Sequence, residues 1–247
     1  MITVYSPRIQ NLGDFSHCLP TLSGFYKTYG KFSFGICPRM KRFKGIIDML
    51  MYQGMFTDVF FVDERPIVEK YIVIDDSGSD EGNTGESLVA RRFYNFFKSH
   101  YPMFDFPFDD EFELKVPDTV YTDYIKNHYI VGDRWSPKDA TDVDDRRLSN
   151  ITEPYDIFKS REFFHLVYTN DLITNLSIVK YNNKPFITTF TGIGILADLM
   201  NKETIVLWDE DMRFWQGKPV EDDYRLHYWT NRKSKLQYIK DFNLFTV

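Results

Sequence analysis

Asp14 follows Gly13 at the head of a helical pattern whose next turns are built for a core. A carboxylate there has two uses. It can cap the helix and favour its positive end, or it can stand where a strand hands over to a helix at the mouth of a cleft and do chemistry there. A second point of interest is Thr191-Gly192-Ile193-Gly194, which opens a helix directly after a strand. Free backbone N–H groups and the helix dipole make such an end an anion site, and glycines let a phosphate approach the backbone. The alternative is a turn that serves helix–strand packing.

Charged residues supply the remaining candidates. Pro38-Arg-Met-Lys-Arg-Phe-Lys-Gly45 is the densest basic run of the chain. Arg39, Lys41, Arg42 and Lys44 cannot share one helical face, but a loop can present them to several phosphates, with Phe43 to stack on a base. Arg134, Lys138, Arg146 and Arg147 flank an acidic loop. Solvated surface charge is the plain alternative for both groups. Asp139, Asp142, Asp144 and Asp145 lack the glycine and terminal glutamate of a calcium loop, so no essential metal is expected. Trp208, Trp215 and Trp229 fit a core or a domain interface.

These residues need elements to hold them. Phe15, Leu19, Leu22, Phe25, Tyr26 and Tyr29 recur at helical spacing, so Asp14–Tyr29 reads as a helix closed by Gly30. Strands are expected at Ile2–Tyr5, Phe32–Cys37, Asp58–Val62 and Tyr71–Ile74. Helices are expected at Gly45–Gln53, with Ile46, Ile47, Leu50 and Met51 inward, and at Ser87–His100. The acidic, glycine-rich run 75–86 reads as a mobile loop. After the aperiodic Pro102–Pro117 the rhythm resumes. Strands are expected at Tyr129–Val131, Phe163–Tyr168, Pro185–Phe190 and Glu203–Trp208, and helices at Asn170–Lys180, Thr191–Asn201 and Ser234–Phe242. The class is α/β, with two Rossmann-like domains, 1–118 and 119–247, and ligands bound outside the carboxyl ends of the strands, in a cleft between the halves.

The bulk numbers agree with a soluble globular protein: 247 residues, 43% hydrophobic, 27% charged, net charge −6. No apolar run approaches the ~20 residues of a membrane span, and the first ten lack a secretory core. Two cysteines exclude a disulfide framework, so a cytoplasmic setting is expected. Acidity argues against a simple nucleic-acid coat protein. Only three alanines among many Phe, Tyr, Asn, Lys and Ile residues suggest an AT-rich coding sequence, as in many bacteriophages.

Three segments together resemble the ADP-heptose:lipopolysaccharide heptosyltransferases. They are NLGDFSHCLPTLSGFYKTYGKFSFGIC, VGDRWSPKDATDVDDRR and PFITTFTGIGILADLMNKETIVLWDE. In that family a Gly-Asp pair follows the first strand and a helix with an internal proline comes next; Pro20 matches that proline. The resemblance implies a GT-B fold and an inverting transfer from a nucleotide sugar, UDP- or ADP-linked. It implies Asp14 as general base and Lys138, with Arg134, near the departing diphosphate. Thr191, Gly192, Ile193 and Gly194 would then cradle the donor. Gly13, His17, Arg39, Lys41, Arg42 and Lys44 would face the acceptor. The family's acidic residue before Thr-Gly is Phe190 here, and its following histidine is Ile195.

The 1–118 half is thus expected to bind acceptor and the 119–247 half donor. Phage-like composition, the basic run and the short chain suggest 5-hydroxymethylpyrimidine in phage DNA as the acceptor. The alternatives are a cytoplasmic lipopolysaccharide or glycan transferase and a GT-B-shaped binding protein without catalysis.

Overall fold

A computed structural model describes residues 2–65, 71–75, 88–118, 123–132, 162–166, 171–210, 219–229 and 232–242. The chain forms two compact units, Met1–Lys115 and Val116–Val247.

In the first unit, β1 (Thr3–Ser6), β2 (Phe32–Ile36), β3 (Phe56–Phe61) and β4 (Ile72–Val73) make a parallel sheet in the order β3-β2-β1-β4. The strands of this sheet are largely buried, as parallel strands must be. Helix α1 (Leu12–Tyr29) follows β1, a 3-10 turn (Pro38–Arg42) and α2 (Ile46–Tyr52) follow β2, and α3 (Val89–His100) packs on α1. In α2 it is Ile46, Met49 and Leu50 that are buried, while Met51 is exposed, so the inward face lies rotated from the expected one.

Helix α1 is buried almost all round from Phe15 to Phe25, with no polar face over that stretch. The aperiodic segment before Pro117 explains why. Phe104 and Phe106 close on Phe25, with ring centroids 5.4 Å away in each case, and Phe97 of α3 adds a third ring at 5.5 Å. Gly24 lets this segment cross: a Cβ there would lie 2.0 Å from the Pro107 carbonyl oxygen. Buried Asp109 clamps it, accepting from Ser23 Oγ at 2.6 Å and pairing with Lys27 at 2.7 Å.

The second unit holds α4 (Asp123–Lys126), β5 (Tyr129–Gly132), β6 (Phe163–His165), α5 (Leu172–Tyr181), β7 (Phe186–Thr188), α6 (Gly192–Leu199), β8 (Thr204–Trp208), α7 (Val220–His227) and β9 (Ser234–Tyr238). Its sheet is parallel, in the order β6-β5-β7-β8-β9. Two expectations fail here. Ser234–Phe242 is not a helix: its first five residues pair with β8 as an edge strand, and a 3-10 turn (Ile239–Asp241) buries Ile239 in the core. The helix Val220–His227 has no counterpart in the sequence reading. The acidic run 76–86 lies outside the described residues.

Both sheets reverse their direction of strand addition once, between β1 and β4 in the first and between β5 and β7 in the second. Ligands of open α/β sheets bind outside the carboxyl ends of strands at such points. The heads of α1 and α6 emerge there.

Candidate active site

In the first unit, β1 ends at Ser6 and α1 starts at Leu12. Asn11 is the N-cap residue, with extended backbone (φ −105°, ψ 147°), and its carbonyl takes the first helical bond from Phe15 N at 3.0 Å. Asp14 is therefore the third helical residue and not the cap. It is half-buried. Asn11 Nδ2 donates to Asp14 Oδ2 at 3.3 Å, and the Asp14 carboxyl makes no other hydrogen bond among the described residues. Burial raises the Asp14 carboxyl above the usual aspartate range, and the Asn11 bond offsets part of the rise. A carboxylate with one oxygen tied, one open and an elevated proton affinity can take a proton from a hydroxyl.

The neighbouring candidates divide. Gly13 is half-buried beside Asp14. His17 is wholly buried in the packed stretch of α1, so a ligand outside that packing does not reach it. The basic run is not a free patch. Arg39 donates to Gln10 Oε1, while Arg42 donates to the Gln10 carbonyl at 2.9 Å and to Asn11 Oδ1 at 3.1 Å. Lys41 turns the other way, to Asp63 at 3.0 Å and Glu64 at 3.1 Å, and lies 5.0 Å from the centre of the Phe61 ring. These carboxylates, Asp63 first, raise its ammonium above the usual lysine range. Phe43 is buried, with the Arg42 guanidinium 4.8 Å from its ring centre, so it offers no face to a base. Lys44 is exposed.

Sequence reasoning missed three residues at this end of the sheet. Asn11 was legible as a preferred N-cap type three residues before Asp14. Asp75, just past β4, is buried and pairs with the exposed Arg8, just past β1, at 3.5 Å. Ser6, the last residue of β1, has a buried hydroxyl with no hydrogen-bond partner among the described residues.

In the second unit, Thr188 and Thr191 lace the β5–β7 switch point. Thr188 Oγ1 donates to the Gly132 carbonyl at 2.8 Å and lies 2.9 Å from Thr191 Oγ1, which accepts from Gly194 N at 3.2 Å. Each hydroxyl has one proton, so Thr191 gives its own to Thr188. The Gly194 N–H is thereby spent on the cap. Gly194 has a packing reason as well: a Cβ would lie 2.5 Å from the Tyr228 hydroxyl and 2.9 Å from Thr188 Cγ2. Its missing side chain makes room for Tyr228. Gly192 is half-buried and Ile193 buried at the same head.

Phe190 and Ile195 join an apolar corner. Ile195 packs with Val206 and Tyr228. The Phe190 ring stands edge-on to Tyr224 and Tyr228, centroids 6.4 and 6.2 Å apart, and those two tyrosines stack at 4.9 Å. Burial, then the charge of Asp198, raises the Tyr224 hydroxyl above the usual range. Asp198, buried in α6, accepts from Trp229 N at 3.0 Å and Ser234 Oγ at 2.5 Å, and burial raises its carboxyl. It ties α6 to the segment leading into β9.

Trp229 is buried, and Trp208 packs half-buried against the sheet core. Arg134, Lys138, Arg146, Arg147, Trp215 and the four loop aspartates lie outside the described residues. Among the described residues, no group of three or more His, Cys, Asp or Glu side chains gathers to hold a metal ion. No described helix is long and apolar enough to cross a membrane.

No family profile and no curated protein matches this sequence. Solved structures do match its fold. The Escherichia coli heptosyltransferase WaaC with ADP superposes with a TM-score of 0.55 at 10% identity, over 96% of this chain and 93% of that one. The fold is GT-B. The iron-containing dodecameric glycosyltransferase TibC of enterotoxigenic E. coli H10407 gives a TM-score of 0.54 at 10% identity, over 87% of this chain and 61% of that one. The GT-B likeness extends across both sheets and carries the expected α/β class.

Proposed function

We propose that this chain is an inverting, nucleotide-sugar-dependent glycosyltransferase, with Asp14 as general base. The observation that carries the reading is the Asp14 carboxyl itself. It sits half-buried at the carboxyl end of β1, with one oxygen held by Asn11 and the other open. Asn11, not Asp14, occupies the cap position; Asp14 in the first turn also favours the positive end of the helix, and its open oxygen remains available beside that role.

In the proposed reaction, Asp14 Oδ1 takes the acceptor hydroxyl's proton as its oxygen attacks the anomeric carbon. The new C–O bond forms on the face opposite the diphosphate, whose bond to that carbon breaks and whose oxygen keeps the electron pair. The head of α6 supplies charge relief through the amides of Gly192 and Ile193; Gly194 N is already engaged by Thr191. Arg134 and Lys138 are the candidate cations for the same diphosphate. The first unit takes acceptor and the second takes donor.

A glycan hydroxyl fits the acceptor side better than a DNA base. Three of the four cations named for DNA are bound to the protein's own carboxylate and amide oxygens, and Phe43 is buried. The two solved structures named above are glycosyltransferases by name.

The binding-protein reading rests on Phe190 and Ile195, which fill with apolar packing the two positions that are acidic and histidine in the family resembled. One experiment separates the two readings. Wild type and Asp14→Asn are titrated with a panel of ADP- and UDP-sugars by calorimetry, and nucleoside diphosphate release is followed. The transferase reading expects one donor to bind both proteins equally and to turn over slowly in the wild type alone. Donor binding with equal turnover in both proteins removes Asp14 as base. Binding without turnover in either supports the binding protein, and no binding of any donor overturns both.

A further inference from the structure

Asn11 holds an unusual position. Asparagine at a helix N-cap ordinarily accepts a backbone N–H of the first turn, an interaction of about 1 kcal/mol. Here the Asn11 side chain makes no such bond. Its oxygen is taken by Arg42 at 3.1 Å and its nitrogen faces Asp14 Oδ2 at 3.3 Å. The helix forgoes its cap, and the amide bridges a guanidinium and a carboxylate instead.

The bridge has a direction. A guanidinium has donors only, so it accepts just one of the two amide orientations, the one presenting Oδ1. That orientation puts Nδ2 towards Asp14. The flipped amide would set an oxygen against the carboxylate and a donor against Arg42. Arg42 is itself fixed, by its second bond to the Gln10 carbonyl at 2.9 Å and by its position over the Phe43 ring. Arg39 holds Gln10 by its side chain from the same 3-10 turn. Burial raises the Asp14 carboxyl and the Asn11 amide lowers it.

We propose that Asn11 and Arg42 form a positioning pair, in which Arg42 orients the Asn11 amide and the amide fixes the Asp14 carboxyl with Oδ1 left open for a proton. The proposal rests on the reading of Asp14 as base only for its purpose; the coupling itself is a property of the free protein. It moves Arg42 from the acceptor side to the service of the carboxylate.

A double-mutant cycle read by carbon-detected NMR tests it without any substrate. The Asp14 side-chain carboxyl is titrated in wild type, Arg42→Gln, Asn11→Ala and the double variant, in about 0.5 M salt to screen bare charge. Each single variant is expected to move the Asp14 midpoint upward by roughly half a pH unit or more, since each removes a hydrogen bond to the charged form. The double variant is expected to match Asn11→Ala alone. An Arg42→Gln shift that persists in full in the Asn11→Ala background, or no shift at all, overturns the pair. Arg42→Met, which keeps the stem over Phe43, serves if Arg42→Gln does not fold. A thermal scan adds a second readout: freed from Arg42, Asn11 can cap α1, so the Arg42 variants should melt no lower than wild type by more than about 1 °C. Loss of coupling with Asp14 still required for turnover removes the pair and leaves the base. Coupling without turnover leaves the pair and removes the enzyme.

Discussion

The heads of α1 and α6 emerge at equivalent switch points of two parallel sheets, and they are finished in opposite ways. At α6 the local chemistry closes on itself. Thr191 caps Gly194 N, Thr188 links the cap to β5, and Tyr228 fills the space a side chain at residue 194 would need. At α1 the cap residue's side chain makes no bond to the helix backbone, a carboxylate stays half-buried with one free oxygen, and Arg42 from the next crossover bonds the cap residue. A helix end that spends an amide on its own cap keeps that group inside the fold. One that leaves a local bond unmade, while burial raises a carboxyl, is a candidate for a functional role.

The largest test of this contrast is Asp14→Asn. We expect glycosyl transfer to fall by ~100-fold or more, about 2.7 kcal/mol, with donor affinity unchanged. The variant should also be at least as stable as wild type at neutral pH. Because the native carboxyl is raised above its unfolded value, stability drains as pH rises from ~3.9 to the raised native midpoint, and the asparagine lacks that loss. Marked melting of Asp14→Asn at neutral pH with full activity would reverse the assignment of the two heads.

At α6 the expected sign is the other one. Gly194→Ala should cost about 1–3 kcal/mol in denaturant unfolding, since Tyr228 and Thr188 must both shift. Unchanged stability would mean that the glycine serves a ligand after all. Thr191→Val should cost about 1 kcal/mol, through the lost cap, without changing the m-value.

A last effect, read from pH alone, lies just past the tail of the same helix. Lys202 donates to the Asn182 carbonyl at 2.5 Å, and burial lowers its ammonium to about 8. The unfolded chain, with lysine near ~10.4, then holds more protons between those values, so stability should rise with pH across that window. Lys202→Gln should flatten the rise, and an unaltered pH–stability curve would place Lys202 in solvent.

Legibility followed range. The placement of Asp14, Gly13 and Thr191 at strand-to-helix turns was readable because strand, turn and helix head lie within ten residues of chain. The destination of Arg42 was not, since it depends on how a 3-10 turn after β2 meets the loop after β1, 31 residues earlier. The Arg8–Asp75 pair joins segments 67 residues apart by sequence number and carries no local signal. The packing need at Gly194 was not legible, because nothing nearby announces Tyr228, which follows a helix that was unread.

By itself the sequence determined the alternation of short apolar runs and amphipathic stretches. That alternation requires parallel sheets with crossovers and puts helix heads at the strands' carboxyl ends. These follow from backbone periodicity, which acts over a few residues and needs no partner. Tertiary structure alone decided that Ser234–Tyr238 is a strand, since only the open edge of β8 can supply its hydrogen bonds. It alone decided, too, which polar groups of each helix head are spent and which stay open. A hydrogen bond needs two atoms within about 3 Å, and distant segments meet at that range only after the core has packed.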